Sequence, residues 1–126
     1  MKIINTAINI KKNKSKKLIL DSLKIERDWG WAPEYIQAIY KMSRSKTPKD
    51  YIISTGKVNS LKDFVKITFG LLDLDWKKYT EFYDKKLRPL DVCRSGGNPI
   101  KIKKDLGWNS KLTLEMIIKK IIDSKY

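Results

Sequence analysis

Two arginines in this sequence stand in stiff local company. Arg27 lies in ERDWGWAPEY (26–35), beside an aspartate, a tryptophan and a glycine, just before a proline fit to open a helix. Arg88 lies in RPLD (88–91), followed at once by Pro89. A planar guanidinium on a rigid backbone can make two parallel hydrogen bonds to a phosphate. Two such groups converging would clamp a diphosphate. The competing reading is an internal pair, Arg27 with Asp28 or another acid, that only fixes the corner. Asp28 and Asp91 are not assigned as an acid/base couple, because nothing in the sequence sets their separation. The other arginines carry less: Arg44 falls in a polar turn, and Arg94 precedes a glycine loop without a clear role.

Other chemistries are harder to build. There is no histidine and a single cysteine, Cys93, which removes the usual zinc sites, any Ser-His-Asp triad and an internal disulfide. No Gly-x-Gly-x-x-Gly follows a strand and opens a helix. STGKVNS (54–60) lacks the earlier glycine of a P-loop and the hydroxyl residue after Lys57. SGGNP (95–99) reads as a turn, or as a nest whose amides face a phosphate.

The elements that must position these residues follow from periodicity and punctuation. One domain is expected from 126 residues, with 41% hydrophobic and 33% charged side chains. Ile3, Ile4, Ala7 and Ile8 predict a helix over 2–13. Leu18 to Leu20 suits a buried strand. Pro33 opens a helix to about Ser43, with Ile36, Ile39, Tyr40 and Ser43 at helical spacing. Tyr51 to Thr55 reads as a strand stopped by Gly56. Ser60 and Asp63 form a capping box for a helix carrying Phe64, Val65, Ile67, Thr68, Leu71 and Leu72. After a connector at 73–76, residues 77–83 suit a strand, and 88–92 a second extended piece beside Pro89. A short helix is expected from about Pro99 to Leu106, ended by Gly107. Thr113 should cap a last helix with Met116, Ile117, Lys120 and Ile121 on its apolar stripe. The fold class is α/β: a small mixed lobe of about five helices and short strands.

The formal net charge is +14, yet only four of 28 basic residues are arginine. Lysines run along the whole chain, densest in KKNKSKK (11–17), and the aromatic residues are not interleaved with them at any regular spacing. A solvated lysine-rich surface with nonspecific attraction to polyanions is the plain reading. A small basic module binding nucleic acid is the alternative. No run of 18 apolar residues suggests a membrane span, and the first residues do not resemble a secretory signal. With one cysteine, the cytoplasm is the expected compartment.

Several stretches, in order, resemble the C-terminal part of the GDP-mannose 4,6-dehydratase family, in the extended short-chain dehydrogenase/reductase group. ERDWGWAPEYIQAIY resembles the family's Lys-Arg-Asp-Trp-Gly-His-Ala segment with its following helix. DYIISTGKVNSLKDFV resembles its Asp-Tyr-Val-Ile-Ala-Thr-Gly segment, LRPLDV its Arg-Pro-x-Glu-Val, and KKDLGWNSKLTLEMIIKKII its closing Lys-Leu-Gly-Trp segment. The resemblance runs from Lys2 to about Ser124. It implies a single lobe over 1–126 that binds GDP-mannose or a related GDP-sugar, with Arg27 and Arg88 on the diphosphate. It also implies a nucleotide-binding role for Lys2, and for Asp91 a contact with the ribose or with Arg88. The family pattern differs at Trp31 and Asn59, which replace histidines, and at Lys86, Cys93 and Asn98.

The family's NADP-binding Rossmann sheet and its Tyr-x-x-x-Lys pair lie upstream of the matched part. No tyrosine here has lysine four places on. The resemblance therefore implies no cofactor site and no catalytic residue in this chain, although the full-length family uses NADP. Either a truncated product or one half of a split enzyme is expected, paired with a separately encoded Rossmann half or self-associating. No conversion of GDP-mannose is expected from the chain alone, and an apolar inner face should be left uncovered.

Overall fold

The computed structural model describes residues 1–83 and 92–125. Helix α1 (Lys2–Lys11) turns Ile4, Ala7, Ile8 and Ile10 inward. It stops two residues before the predicted end, because Asn13 takes a left-handed φ of 56°, a conformation asparagine tolerates better than most residues. Strand β1 (Leu18–Leu20) follows, as its apolar run predicts. Strand β2 (Glu26–Arg27) leads through the corner into helix α2 (Ala32–Ser43), with proline in its first turn. Strand β3 (Asn59–Ser60) runs directly into helix α3 (Leu61–Gly70). Helix α4 (Trp76–Tyr79) and strand β4 (Thr80–Phe82) come next. Strand β5 (Arg94–Ser95), helix α5 (Ile100–Leu106) and helix α6 (Leu114–Asp123) complete the described chain.

Helix boundaries follow the local chemistry. The Ser60 hydroxyl accepts the Asp63 amide at 3.0 Å, and the Asp63 carboxylate accepts the Ser60 amide at 3.3 Å. This closes the predicted capping box of α3. Thr113 caps α6 by accepting the Met116 amide at 3.3 Å. Gly107, at φ 63°, ends α5 and returns its amide to the Lys103 carbonyl, as a left-handed C-terminal glycine does.

Two small sheets sit among the helices. In one, β1 and β4 pair in parallel, Leu18 opposite Thr80. In the other, β2 lies between β3, antiparallel, and β5, parallel. The main core joins α1, α3 and α6 through Ile4, Ile8, Val65, Phe69, Ile118 and Ile122. A smaller core under α2 and α5 is built on Ala38, Ile102 and Trp108.

Four expectations need correction. Residues 51–55 form no strand: Tyr51 and Ile53 pack on the smaller core, and the Thr55 amide donates to the Asp28 carboxylate rather than to a strand. Residues 77–83 do not form one strand: Asp75 accepts the Lys77 amide at 2.9 Å and winds the first part into α4. This turn makes six helices among the described residues where about five were expected. The inward face of α2 is also different. Ile36 and Tyr40 are each 63% exposed, whereas Ala38 is fully buried, because the helix turns Tyr35, Ala38 and Met42 toward Trp108 and Ile102. In α6 the buried stripe is Leu114, Ile117, Ile118 and Ile122, one residue around from the prediction, and Met116 is exposed.

Candidate functional site

The corner at 28–31 is held from three directions. The Asp28 carboxylate accepts the Thr55 hydroxyl at 2.6 Å, the Thr55 amide at 3.1 Å and the Gly56 amide at 2.9 Å. It therefore docks the 51–57 segment onto the corner. Gly56 takes a φ of 74°, which suits glycine. Trp29 packs on Phe64 of α3, with ring centroids 5.2 Å apart. Gly30 lies so close to the Tyr35 ring that an added Cβ would fall 1.9 Å from the phenolic oxygen. Burial first, then the charges of Asp28 and Glu34, pushes the Tyr35 phenol above its ordinary pKa. It stays protonated at neutral pH and is unsuited to act as a base.

Arg27 leaves this corner along β2 and is half-buried. Its Nη1 donates to the Glu26 carbonyl at 2.7 Å and reaches the Cys93 carbonyl at 3.4 Å. The Glu26 amide donates to that same Cys93 carbonyl at 2.8 Å. The guanidinium thus lies on the seam between β2 and the strand that follows the 88–91 stretch. The internal pair with Asp28 is replaced by this arrangement: the carboxylate serves Thr55 and Gly56. Arg94 pairs across the seam with Glu26, Nε to Oε2 at 3.6 Å, with both side chains well exposed.

Of the other expected site residues, Lys2 donates to the Ile19 carbonyl at 3.1 Å. It sits on the rim of a cavity of about 480 Å3 lined mainly by apolar side chains, including Ile4, Leu20, Trp29, Phe64 and Ile117. Trp31, where the family pattern has histidine, lines the same cavity. The structure so brings Lys2 to the corner that follows Arg27, although Arg27 is not among the lining residues. Arg88 and Asp91 lie outside the described residues.

Sequence reasoning missed Glu34. Its carboxylate accepts the Ser110 hydroxyl at 2.7 Å and the Lys111 amide at 2.9 Å, while its carbonyl accepts the Trp108 indole N–H at 3.0 Å. One residue in the first turn of α2 thereby ties down the α5–α6 connection. Its only signal in the sequence was an acid beside a helix start, a common feature for electrostatic reasons alone. The glycine pair is explained by packing: a Cβ at Gly96 would meet Val58, and one at Gly97 would meet Ser54 and Ile52. Those approaches account for the pair without a phosphate.

These residues do not fit a nicotinamide dinucleotide. The one glycine pair between a described strand and helix, Gly96-Gly97 between β5 and α5, is not part of a Gly-x-Gly-x-x-Gly run, and the strands described are two or three residues long. Among the described residues there is no cluster of three or more acids or cysteines that could hold a metal. No described helix is long and apolar enough to cross a membrane.

A sequence profile described as GDP-mannose 4,6 dehydratase matches residues 1–121. GDP-mannose 4,6 dehydratase 2 of Arabidopsis thaliana is 34% identical over 122 residues, covering 97% of this chain and 33% of the relative. The human GDP-mannose 4,6 dehydratase is 26% identical over 120 residues, covering 82% of this chain and 32% of its own length. The chain thus spans about a third of the length of these relatives. RMD from Pseudomonas aeruginosa, solved with NADPH, superposes with a TM-score of 0.82 at 13% identity, covering all of this chain and 43% of that one. The dTDP-glucose 4,6-dehydratase of Bacillus anthracis, solved with NAD, gives 0.80 at 21% identity, over 98% of this chain and 38% of that one. At those identities the superpositions establish the fold, that of one part of extended short-chain dehydrogenase/reductase enzymes.

Proposed function

Since the chain belongs to the GDP-mannose 4,6 dehydratase family, we propose that it is a nucleotide-sugar-binding lobe whose ligand is the diphosphate of a GDP-sugar. Arg27 and Arg88 grip the phosphates, Lys2 adds a cation at the nucleotide end, and Asp91 meets the ribose or orients Arg88. The observation that carries this reading is the seam. Arg27 is held against the Cys93 carbonyl, and Arg88 stands five residues earlier in the sequence. Five residues of chain reach at most about 18 Å, which bounds the gap that the two arginine side chains would have to close. The corner that fixes Arg27 is rigid on three sides, which suits an anion grip better than a lone flexible lysine would.

No step of hydride transfer is assigned to this chain, because among the described residues there is neither a dinucleotide cradle nor an acid/base set. In this reading a Rossmann part of such an enzyme packs over the apolar cavity beside Lys2, and the nucleotide lies between the two. GDP should therefore bind the lobe alone only weakly, at millimolar concentration. Calorimetry with GDP and GMP on the wild type, Arg27→Ala and Arg88→Ala tests this. A preference for GDP over GMP, lost in both variants, is expected, since hydrogen bonds to charged groups contribute about 1.5–3 kcal/mol. Equal binding by the wild type and both variants would remove the arginines from the site.

A further inference from the structure

The diphosphate grip leaves two neighbours of Arg27 without a task. In the three-stranded sheet, Arg27 pairs with Asn59 of β3 on one side and with Ser95 of β5 on the other. Paired residues point to the same face of a sheet, so Asn59, Arg27 and Ser95 form a row across it. Glu26, Ser60 and Arg94 make the next row, on the opposite face. Neighbouring strands lie about 4.7–4.9 Å apart, so side chains along the row can converge on one diphosphate.

The hydrogen-bonding capacity of this row is largely unused. Arg27 is tethered through Nη1 alone, to the Glu26 and Cys93 carbonyls. Its Nε and Nη2 have no partner among the described residues, and neither do the Asn59 side-chain amide and the Ser95 hydroxyl. The acids nearby are committed elsewhere. Asp28 holds Thr55 and Gly56, Asp63 holds Ser60, and Glu26 pairs with Arg94 on the opposite face. The row thus carries one positive charge and three sets of donors, with no carboxylate among them. Asn59 is half-buried, where an amide without a partner is less well served by water than on open surface. An asparagine offers two N–H donors and a serine hydroxyl one, so an anion with several acceptor oxygens matches the set.

Resting on the diphosphate reading of this site, we propose that the Asn59 amide and the Ser95 hydroxyl donate to the phosphate oxygens that Arg27 grips, one from each flanking strand. Asn59 contributes the larger share. It is less exposed than Ser95, and a hydrogen bond to an anion is stronger where water is partly excluded. Uncharged donors act only at contact. They favour a phosphate seated on the row over the diffuse attraction that a charge of +14 exerts on any polyanion.

The probe is GDP-mannose, whose diphosphate is esterified at both ends and has no group titrating near neutrality. Binding to the whole chain is followed by NMR amide shifts at millimolar ligand. Asn59→Ala should weaken binding about fivefold and Ser95→Ala about threefold, through lost hydrogen bonds. Asn59→Asp should weaken it at least about tenfold, because a carboxylate there would take the guanidinium. Asn9→Asp puts the same charge on the exposed side of α1 and should change affinity less than about twofold. Asn59→His reads contact directly. The chain has no histidine, so wild-type affinity should stay level from about pH 5 to 7, while that of the variant rises as pH falls. Arg27 is the charged residue paired with position 59, with Asp28 next along the chain and Lys57 two residues back. The guanidinium lowers the pKa of the introduced imidazole, so the rise should centre below about 6.5.

Equal losses from Asn59→Asp and Asn9→Asp, or a level profile for Asn59→His, would overturn the proposal. If Arg27→Ala still abolished binding, the diphosphate grip itself would stand. No binding by the wild type, or no loss in Arg27→Ala, would remove the grip and this proposal with it. Ser95 is exposed, so Ser95→Ala still tests the row if the Asn59 variants fail to fold.

Discussion

Asp28 holds more of the corner than its neighbour Arg27 does. Its carboxylate takes three donors from Thr55 and Gly56, and water can replace only some of them at this half-buried position. Asp28→Ala should lower stability by about 2 kcal/mol, read as a shift in the urea midpoint. Arg94→Ala, which breaks only the exposed pair with Glu26, should change it by less than about 1 kcal/mol. If the two variants lose equally, the 51–57 segment is not docked through Asp28. At this scale the sequence was partly legible. The residue types of the corner marked it as rigid, and Pro33 and Gly30 agreed. What it could not supply was the partner, because Asp28 and Thr55 are distant in sequence and either an arginine or a loop amide satisfies a carboxylate. Glu34 was illegible for the same reason.

The elements were read best where their ends carried their own chemistry. Ser60, Thr113 and Gly107 each mark a boundary through contacts within a few residues, and all three act as expected. The capping box gives α3 a pH signature. Chiefly through the Ser60 hydroxyl, the Asp63 carboxyl is held below its ordinary pKa. A depressed folded value means stabilisation that is fully present above the unfolded pKa and lost as pH falls through the folded one. Ser60→Ala should cost about 1 kcal/mol at neutral pH. Its deficit relative to the wild type should shrink as pH falls below about 3.9, the ordinary aspartate value. Parallel stability curves down to acid pH would mean that the serine acts through its shape and not through this bond. Boundaries failed where the decision was tertiary. Tyr51 to Thr55 has the composition of a strand, but its Thr55 amide is taken by the Asp28 carboxylate. In α2, Ile36, Ile39 and Tyr40 face outward, because the helix turns Tyr35, Ala38 and Met42 onto the smaller core around Trp108.

At the scale of the whole molecule, charge and apolar exposure pull in opposite directions. A net +14 on a chain of this size repels itself, and raising salt from about 0.01 to 0.15 M shortens the screening length from about 30 to 8 Å. Thermal midpoints should therefore rise with sodium chloride, by about 4 °C for each kcal/mol of repulsion relieved. A falling midpoint would show that surface pairs such as Lys17 with Glu81 outweigh the repulsion. Composition made the charge legible at once, but not its distribution. The lysines and aromatic rings show no regular interleaving along the chain, yet α3 and α4 stack Lys62 and Lys66 over Trp76. Cys93, the sole thiol, is exposed and shares its residue with the carbonyl that Arg27 approaches. A maleimide dye attached there would sit on the residue whose carbonyl Arg27 meets, without any engineered mutation, so the native protein already carries an attachment point from which quenching could test whether a phosphate arrives.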